Sequence, residues 1–340
     1  MSFSQKYEIA IVGIGGRVAS LFAFELQKEA KILGIGKEKQ IKDIKEKKFY
    51  IKRNKEKLKP LDTKVITEKE FSLDFLPEYI ILATKNPVGK VIENYYQKIK
   101  TAKKLPALIL PQNGLRAEKE AREILKKVFG KRAKEISILR ISLLNAIESK
   151  KLNEKIIISY SLPVRLGICL CCGEKQTAEK FFLFLKKSKI KVKIFPQEKL
   201  KEMEISKLFL NLIGTACASR DLSLKEGFEK KEVFKEEIGV LKEYVKLVKK
   251  MKKNFLNLFY PIKIFAFLIE KLPFSFWWIL RKPLLKIIEK GRNKKEKQNL
   301  DEIDYYNGEV VKLAREYKIS VPFNEKVLER FKKKAGCQSG

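Results

Sequence analysis

The chain has no histidine among its 340 residues, so it lacks the side chain most often used as a general acid and as a metal ligand. Any proton transfer must then come from Lys, Glu, Asp, Tyr or Cys. Its five cysteines are odd in number, and Cys169, Cys171 and Cys172 are spaced as on a buried strand rather than as a paired metal-binding knuckle. We therefore expect structural thiols in a reducing cytoplasm and no metal site.

The first residues contain little that is typical of a targeting segment, because Met1 to Tyr7 is short and polar and a strand pattern follows at once. The expected location is cytoplasmic. Long apolar runs are also scarce, and the richest, residues 255–288, is broken by three prolines and several basic residues. We expect a helical hairpin buried on the core or in a dimer interface, with a monotopic membrane contact as the alternative.

Acidic residues are in deficit, with 41 Asp and Glu against 75 Lys and Arg, for a formal net charge of +34. Such a charge attracts nucleic acid and anionic lipid. The lysines are spread through nearly every predicted helix and loop, with glutamates between them, and no basic tail or RNA-binding aromatic motif is present. We interpret the charge as solvated surface and expect no specific nucleic-acid partner.

The hydrophobic patterns divide the chain into two halves. The first half alternates strand and helix patterns, which predicts a parallel sheet covered on both faces. From residue 198 onward long helical patterns dominate, over residues 200–219, 233–258, 309–318 and 323–333. The predicted fold is an α/β, Rossmann-like N-terminal domain with a parallel-rich sheet (residues 1–196) and an all-α domain for substrate binding and dimerisation (residues 197–335). The strands are predicted at residues 9–12, 31–35, 49–51, 64–65, 79–83, 107–110, 136–139, 156–159, 164–171 and 191–195.

The first predicted strand runs straight into a glycine-rich turn. Two glycines allow a tight bend and a close approach to a pyrophosphate, and the helix that follows offers unpaired N–H groups and the positive end of its dipole. Val18 stands where the dinucleotide-binding fingerprint has its third glycine, and an ordinary strand–turn–helix is the alternative. The predicted cofactor contacts in this turn are Gly13, Ile14, Gly15, Gly16, Arg17 and Val18.

Three polar residues follow neighbouring strands of the predicted sheet. Lys37 comes just after the second strand, where an acid would bind the ribose 2′-hydroxyl of NAD and a cation favours the 2′-phosphate of NADP. We therefore expect NADP(H), although Lys37 could also be one of many surface lysines. Lys85 and Asn113 follow later strands at the carboxyl edge, where open α/β folds bind ligands.

The helical half carries two further motifs. Lys207 and Asn211 are four residues apart and share a helix face, and a lysine in a mostly apolar helix could donate a proton to a carbonyl oxygen. A surface lysine is the alternative. The second motif is the acidic segment 301–309, followed by residues 317–324, for which ordinary helix capping is the alternative.

In this order and at these separations, the motifs resemble those of the ketopantoate reductase (2-dehydropantoate 2-reductase) family over nearly the whole chain. The resemblance implies an NADPH-binding Rossmann domain, a helical second domain, and reduction of a 2-keto acid by hydride transfer, as in pantothenate biosynthesis. It implies proton donation by Lys207, substrate binding by Asn211 and Thr215, and cofactor contacts from Lys85, Asn113 and Glu302.

Two positions depart from the family pattern. Thr215 stands where the family usually has a second asparagine, and no serine occurs in residues 290–295, where the family has a substrate-binding serine. Arg292 or a lysine would meet the anionic substrate instead. The expected substrate is 2-dehydropantoate or a close relative, and a homodimer is among the expected assemblies. The alternative is a non-catalytic, nucleotide-sensing Rossmann protein that docks on a membrane surface or an acidic partner.

Overall fold

The structure is a computed structural model that describes residues 7–188, 190–289 and 302–337. The chain divides into two compact units, one formed by Met1–Gln112 and Arg116–Leu200 and the other by Asn113–Leu115 and Lys201–Gly340. The first unit is α/β and the second is helical, which confirms the predicted fold class.

The first unit is built on a sheet of eight strands. Its elements, in chain order, are β1 (Ile9–Val12), α1 (Arg17–Leu26), β2 (Ile32–Gly36), α2 (Glu38–Lys45), β3 (Phe49–Arg53), β4 (Lys59–Pro60), β5 (Lys64–Thr67), β6 (Tyr79–Leu82), α3 (Gly89–Lys98), β7 (Ala107–Leu110), α4 (Ala117–Phe129), β8 (Ile138–Leu143), β9 (Ile147–Leu152), β10 (Lys155–Tyr160), β11 (Val164–Cys172), α5 (Lys175–Lys187) and β12 (Ile190–Phe195). The strand order is β12-β11-β8-β7-β6-β1-β2-β5. All neighbours in it are parallel except β11 and β8.

Apolar residues cover the sheet on both faces. Ile9 and Ile11 of β1 belong to one buried cluster, whereas Ala10 and Val12 belong to another. Successive side chains of a strand point to opposite faces, so the central strands are apolar at every position. This confirms the prediction of a doubly covered, mostly parallel sheet.

A second sheet, ordered β4-β3-β10-β9, packs against α1 in the same unit. The sequence pattern does not predict β9, which pairs with β10 in an antiparallel hairpin. The strand carries mostly exposed polar and charged residues after Ile147, so no apolar alternation marks it. Glu25 of α1 accepts a buried hydrogen bond from Tyr160 Oη of the hairpin (2.6 Å) and a partly buried one from Arg53 Nη1 of β3 (3.3 Å).

The second unit contains only helices among its described residues. They are α6 (Leu200–Leu212), α7 (Thr215–Ala218), α8 (Leu224–Glu229), α9 (Lys231–Lys250), α10 (Ile262–Lys271), α11 (Phe274–Glu289), α12 (Asn307–Glu316) and α13 (Pro322–Cys337). Two predicted helices differ. The one predicted over residues 200–219 is interrupted between Leu212 and Thr215, and the one predicted over 233–258 ends at Lys250.

The apolar stretch 255–288 contains α10 and α11 and is buried on one face only. Ile262, Ala266, Ile269 and Trp277 are buried, whereas six large apolar side chains of these helices are exposed and the others are half-buried. Across the described parts of the chain, no helix combines the length and the apolar character needed to cross a membrane.

Candidate active site

The glycine turn after β1 has the backbone that the sequence predicts. Gly13 and Gly15 have φ values of +86° and +92°, a region that side-chain-bearing residues rarely adopt. A Cβ at Gly13 would lie 3.1 Å from the Ala83 carbonyl oxygen at the end of β6. The turn therefore depends on glycine both for its conformation and for its closeness to the next strand.

Three N–H groups of this turn donate backbone hydrogen bonds. Those of Gly13 and Ile14 donate to the Ile35 carbonyl of β2 (2.8 and 3.0 Å), and that of Gly16 donates to the Gly13 carbonyl (2.9 Å). Gly16 is the N-cap residue of α1 and has no side chain to cap the first-turn N–H groups of Arg17 and Val18, and no acid lies in that turn. The start of α1 fits the pyrophosphate of a dinucleotide.

Packing around this turn involves two glycines of β2 whose role the sequence pattern does not indicate. The Ile14 side chain is completely buried, and a Cβ at Gly34 or Gly36 of β2 would lie 2.8 or 3.0 Å from it. The absence of side chains at these glycines of β2 thus leaves the space that the Ile14 side chain occupies. Val18 is partly buried against the same core, so a valine at the third fingerprint position contributes to the packing of α1.

Three predicted cofactor contacts lie around the turn. The Arg17 guanidinium donates a long hydrogen bond to the Ile147 carbonyl (3.4 Å). Lys37 is exposed immediately after β2, where its N–H donates to Gln40 Oε1 (3.3 Å), and Lys85 is exposed after β6. Because β6, β1 and β2 are adjacent and parallel, Lys37, Lys85 and the glycine turn lie at the same carboxyl edge.

In the second unit, the Asn113 side chain contacts three residues that are distant from it in sequence. Its Nδ2 donates to Glu302 Oε2 (3.0 Å) and to Tyr306 Oη (3.0 Å), and its Oδ1 accepts from Asn211 Nδ2 (3.1 Å). Both hydrogens of the Asn113 amide are used, which fixes its orientation. The structure thus brings together three predicted site residues and adds Tyr306, whose only sequence signal is its spacing of four from Glu302.

Lys207 lies one turn before Asn211 on α6. Between residues 202 and 212 every α6 side chain is buried except those of Lys207, Leu210 and Asn211, which are half-buried and share one face. This degree of burial differs from that of an ordinary surface lysine. The helix therefore offers one partly accessible face, and it carries both predicted functional residues.

Thr215 is separated from this face by the break in the helix. Gly214 is left-handed, with a φ of +90°, and the Thr215 hydroxyl donates to the Leu212 carbonyl (2.9 Å) from a side chain with no exposed surface. Thr215 is therefore not one turn further along the Asn211 face, as a continuous helix would place it. Substrate binding by Thr215 stays a prediction.

The break is stabilised by a carboxylate that the sequence analysis missed. Glu237 of α9 is buried and accepts hydrogen bonds from the N–H groups of Gly214 and Ala216, the latter at 3.1 Å. It caps the start of α7 as a side chain does at an N-terminus. No sequence pattern links Glu237 to a turn that precedes it by more than 20 residues.

We expect Glu237→Ala to lower the free energy of unfolding by about 2–4 kcal/mol, because it leaves two buried N–H groups without their acceptor. Urea unfolding measures the change. Glu232→Ala, an exposed glutamate in the first turn of the same helix, is the matched control and should cost less than about 1 kcal/mol. Equal losses in the two variants would contradict the capping role.

Two asparagines of the C-terminal motif form buried hydrogen bonds between helices. Asn307 Nδ2 donates to Asn324 Oδ1 (3.0 Å), and Asn324 Nδ2 donates to Glu243 Oε2 (2.8 Å). Burial raises the pKa of Glu243, although hydrogen bonds from the Phe323 and Asn324 N–H groups oppose that rise. This buried network joins α9, α12 and α13.

Two predicted features lie outside the described residues, namely Arg292 with residues 290–295 and the start of the acidic segment at Asp301. Within the described ranges, no group of three or more Cys, Asp or Glu side chains is placed to hold a metal ion.

Comparison with known families gives two matches that together cover most of the chain. Residues 9–136 match the family model "Ketopantoate reductase PanE/ApbA", and residues 199–335 match "Ketopantoate reductase PanE/ApbA C terminal". No curated protein sequence matches the chain.

Several solved structures share the fold. The chain is similar to D-mandelate dehydrogenase with NADH and anilino(oxo)acetate (18% identity, 98% of this chain and 100% of the other, TM-score 0.72). It is also similar to 2-dehydropantoate 2-reductase from Methylococcus capsulatus (13%, 98% and 98%, 0.65). A third similar structure is dimeric ketopantoate reductase from Staphylococcus aureus (13%, 94% and 95%, 0.59).

Proposed function

The chain belongs to the ketopantoate reductase family, and from this premise we propose that it reduces a 2-keto acid with NADPH, converting 2-dehydropantoate to pantoate or acting on a close relative. The observation that carries the proposal is the meeting of Asn211 and Glu302 at Asn113, in the unit whose helix α6 presents Lys207 one turn from Asn211. Asn113 thus contacts Asn211 and Glu302, two other residues that the resemblance implies for the site, although the three lie far apart in the sequence.

The residues of α6 suit the chemistry of carbonyl reduction. When bound, NADPH supplies the hydride that is added to the keto carbon, and negative charge then develops on the carbonyl oxygen. The Lys207 ammonium stabilises that charge and donates the proton that completes the hydroxyl group. Asn211 is proposed to hold the substrate, with the amide of Asn113 fixing its side chain.

The substrate class is supported by a structural relative. D-mandelate dehydrogenase is described in complex with anilino(oxo)acetate, which carries a carbonyl group next to a carboxylate. We propose the same grouping for the substrate of this chain. The decisive experiment measures NADPH absorbance with purified protein and a panel containing 2-dehydropantoate and branched 2-keto acids. Absence of oxidation with every member of the panel would overturn the proposal.

The choice of NADPH over NADH rests on Lys37. D-mandelate dehydrogenase is described with NADH, so the fold alone does not select NADPH. Lys37 is exposed immediately after β2, where a cation favours a 2′-phosphate. We propose that Lys37 contacts this phosphate, and that Lys85 and Glu302 make further cofactor contacts.

We expect Lys37→Glu to lower the preference for NADPH over NADH by about 10²-fold, because a favourable charge contact with the 2′-phosphate is replaced by repulsion. The ratio of kcat/KM values for the two cofactors measures this preference. Lys45→Glu makes the same charge change at the other end of α2 and is the matched control. If both variants shift the ratio equally, the preference comes from the general charge of the protein.

A non-catalytic nucleotide sensor is the second candidate, and the departures at Thr215 and residues 290–295 favour it. Tight NADPH binding without turnover on any 2-keto acid would support it.

We also propose that the protein is a cytoplasmic enzyme in which residues 1–196 bind the cofactor and residues 197–335 bind substrate. Residues 197–335 are also proposed to form a homodimer, and the relative from S. aureus is described as dimeric. Light scattering of the purified protein tests the dimer.

A further inference from the structure

Helix α11 exposes an apolar face to solvent. Phe276, Ile279, Leu280, Pro283 and Ile287 are all exposed and fall within an arc of about 100° on a helix of 3.6 residues per turn. We refer to these five residues as the apolar stripe. Ile279 is 73% exposed and Ile287 is 68% exposed, so the stripe is not covered by the rest of the described chain.

The other side of α11 packs into the second unit. Trp277 is buried against Phe265 of α10, with ring centroids 5.8 Å apart, and the Trp278 ring lies 6.1 Å from that of Phe234 of α9. These contacts fix the rotation of the helix, so the stripe is held outward by packing on its opposite face. Exposure of the stripe is therefore a property of the folded unit.

Helix α10, which contacts α11 through Phe265 and Trp277, also carries exposed apolar side chains. Ile264 and Phe267 are 60% and 57% exposed. Across the described residues, six of the twelve exposed large hydrophobic side chains lie in α10 and α11. Such a concentration on two contacting helices marks an interaction surface, whereas single exposed apolar residues do not.

The charges around this surface are mainly positive. Residues 262–289 contain five basic residues, Lys263, Lys271, Arg281, Lys282 and Lys286, against two acidic ones, Glu270 and Glu289. Glu270 is paired with Lys249 of α9 (2.5 Å), and Lys282 and Lys286 are exposed along one flank of the stripe. The partner that complements this surface is apolar at its centre and anionic around it.

We propose that α10 and α11 dock the protein on an anionic lipid surface. The apolar stripe enters the boundary between headgroups and acyl chains with α11 in the plane of the membrane, while Lys282 and Lys286 contact lipid phosphates. A second copy of the chain is a poorer complement, because a two-fold contact brings the same basic flanks together in a protein of net charge +34. The surface contains none of the residues proposed for catalysis.

Co-sedimentation of the full-length protein with vesicles tests this surface. The vesicles are phosphatidylcholine alone or mixed with phosphatidylglycerol, and the variant is Ile279→Glu/Ile287→Glu. The matched control is Leu152→Glu/Leu183→Glu, which makes the same charge change at two exposed apolar positions of the first unit. NADPH binding and circular dichroism confirm that both variants are folded, independently of turnover.

We expect the stripe variant to bind mixed vesicles at least about tenfold more weakly than the control variant, and the native protein to retain part of its binding at about 0.5 M salt, where charge contacts are screened. Equal binding by the two variants, or complete release of the native protein by salt, would show only general charge attraction and overturn the proposal. A dimer that forms without vesicles and is lost only in the stripe variant would also overturn the proposal, because a second copy of the chain would then cover this face.

Discussion

Replacing Lys207 by alanine is expected to lower kcat for 2-keto acid reduction by about 10²–10⁴-fold, the range typical for the loss of a positioned general acid. The chain has no histidine to take over the role, and Lys207 and Asn211 occupy the one partly accessible face of α6 between residues 202 and 212. Steady-state kinetics with NADPH measure kcat, and fluorescence titration should show nearly unchanged NADPH affinity.

Three comparisons separate proton donation from a structural effect. Lys201→Ala removes a half-buried lysine from the same helix and should leave kcat nearly unchanged. Lys207→Arg keeps the charge but holds its proton more tightly, so substrate affinity should survive better than kcat. Added primary amines should partly restore turnover in Lys207→Ala. A loss below about threefold, or an equal loss in Lys201→Ala, would remove Lys207 from the chemistry.

The middle of the large sheet could be predicted because the strands β1, β6 and β7 are buried and apolar at every position. The boundaries predicted for β1 and β7 agree with the structure, since continuous apolar runs mark strands buried on both faces. Strand β9 lacks this signal because it is exposed and charged beyond Ile147. It exists through its pairing with β10 and the burial of Ile147, and neither is visible in the pattern of β9 alone.

The break between α6 and α7 shows a different limit. The hydrophobic periodicity continues across Leu212 and Thr215 and predicts one helix over residues 200–219. This prediction is wrong, because α6 ends at Leu212 and α7 begins at Thr215. Gly214 adopts a left-handed conformation, and the buried carboxylate of Glu237 satisfies the N–H groups that follow the break. A lone glycine in a helical pattern is ambiguous until its distant capping group is known.

In the candidate site, the sequence identifies individual residues, whereas their contacts depend on the fold. The resemblance identified Asn113, Asn211 and Glu302 separately, but their mutual hydrogen bonds and the contribution of Tyr306 depend on the fold. Gly114, with a φ of +85°, is required because a Cβ there would lie 3.1 Å from Tyr305. A motif residue such as Gly114 can thus serve the packing around a site rather than contact with a ligand.

We expect Gly13→Val to weaken NADPH binding by about 10²-fold or more. Valine is strained at a φ of +86°, and its Cβ would lie 3.1 Å from the Ala83 carbonyl, so the turn must move away from β6. Movement of the turn displaces the first-turn N–H groups of α1 from the pyrophosphate. One or two charge-assisted hydrogen bonds of about 1.5–3 kcal/mol each account for the expected loss.

Gly130→Val is the matched control for this prediction. Gly130 also has a positive φ, of +58°, but a Cβ there would meet no atom within 4 Å. Both variants carry the cost of a β-branched residue in the left-handed region, so both should lower the melting temperature, with the crowded Gly13 position losing more. Only Gly13→Val should lose NADPH affinity, measured by titration at a temperature where both variants are folded. If Gly130→Val loses as much affinity, or if Gly13→Val binds NADPH normally, the turn after β1 is a structural connection and the cofactor must bind elsewhere.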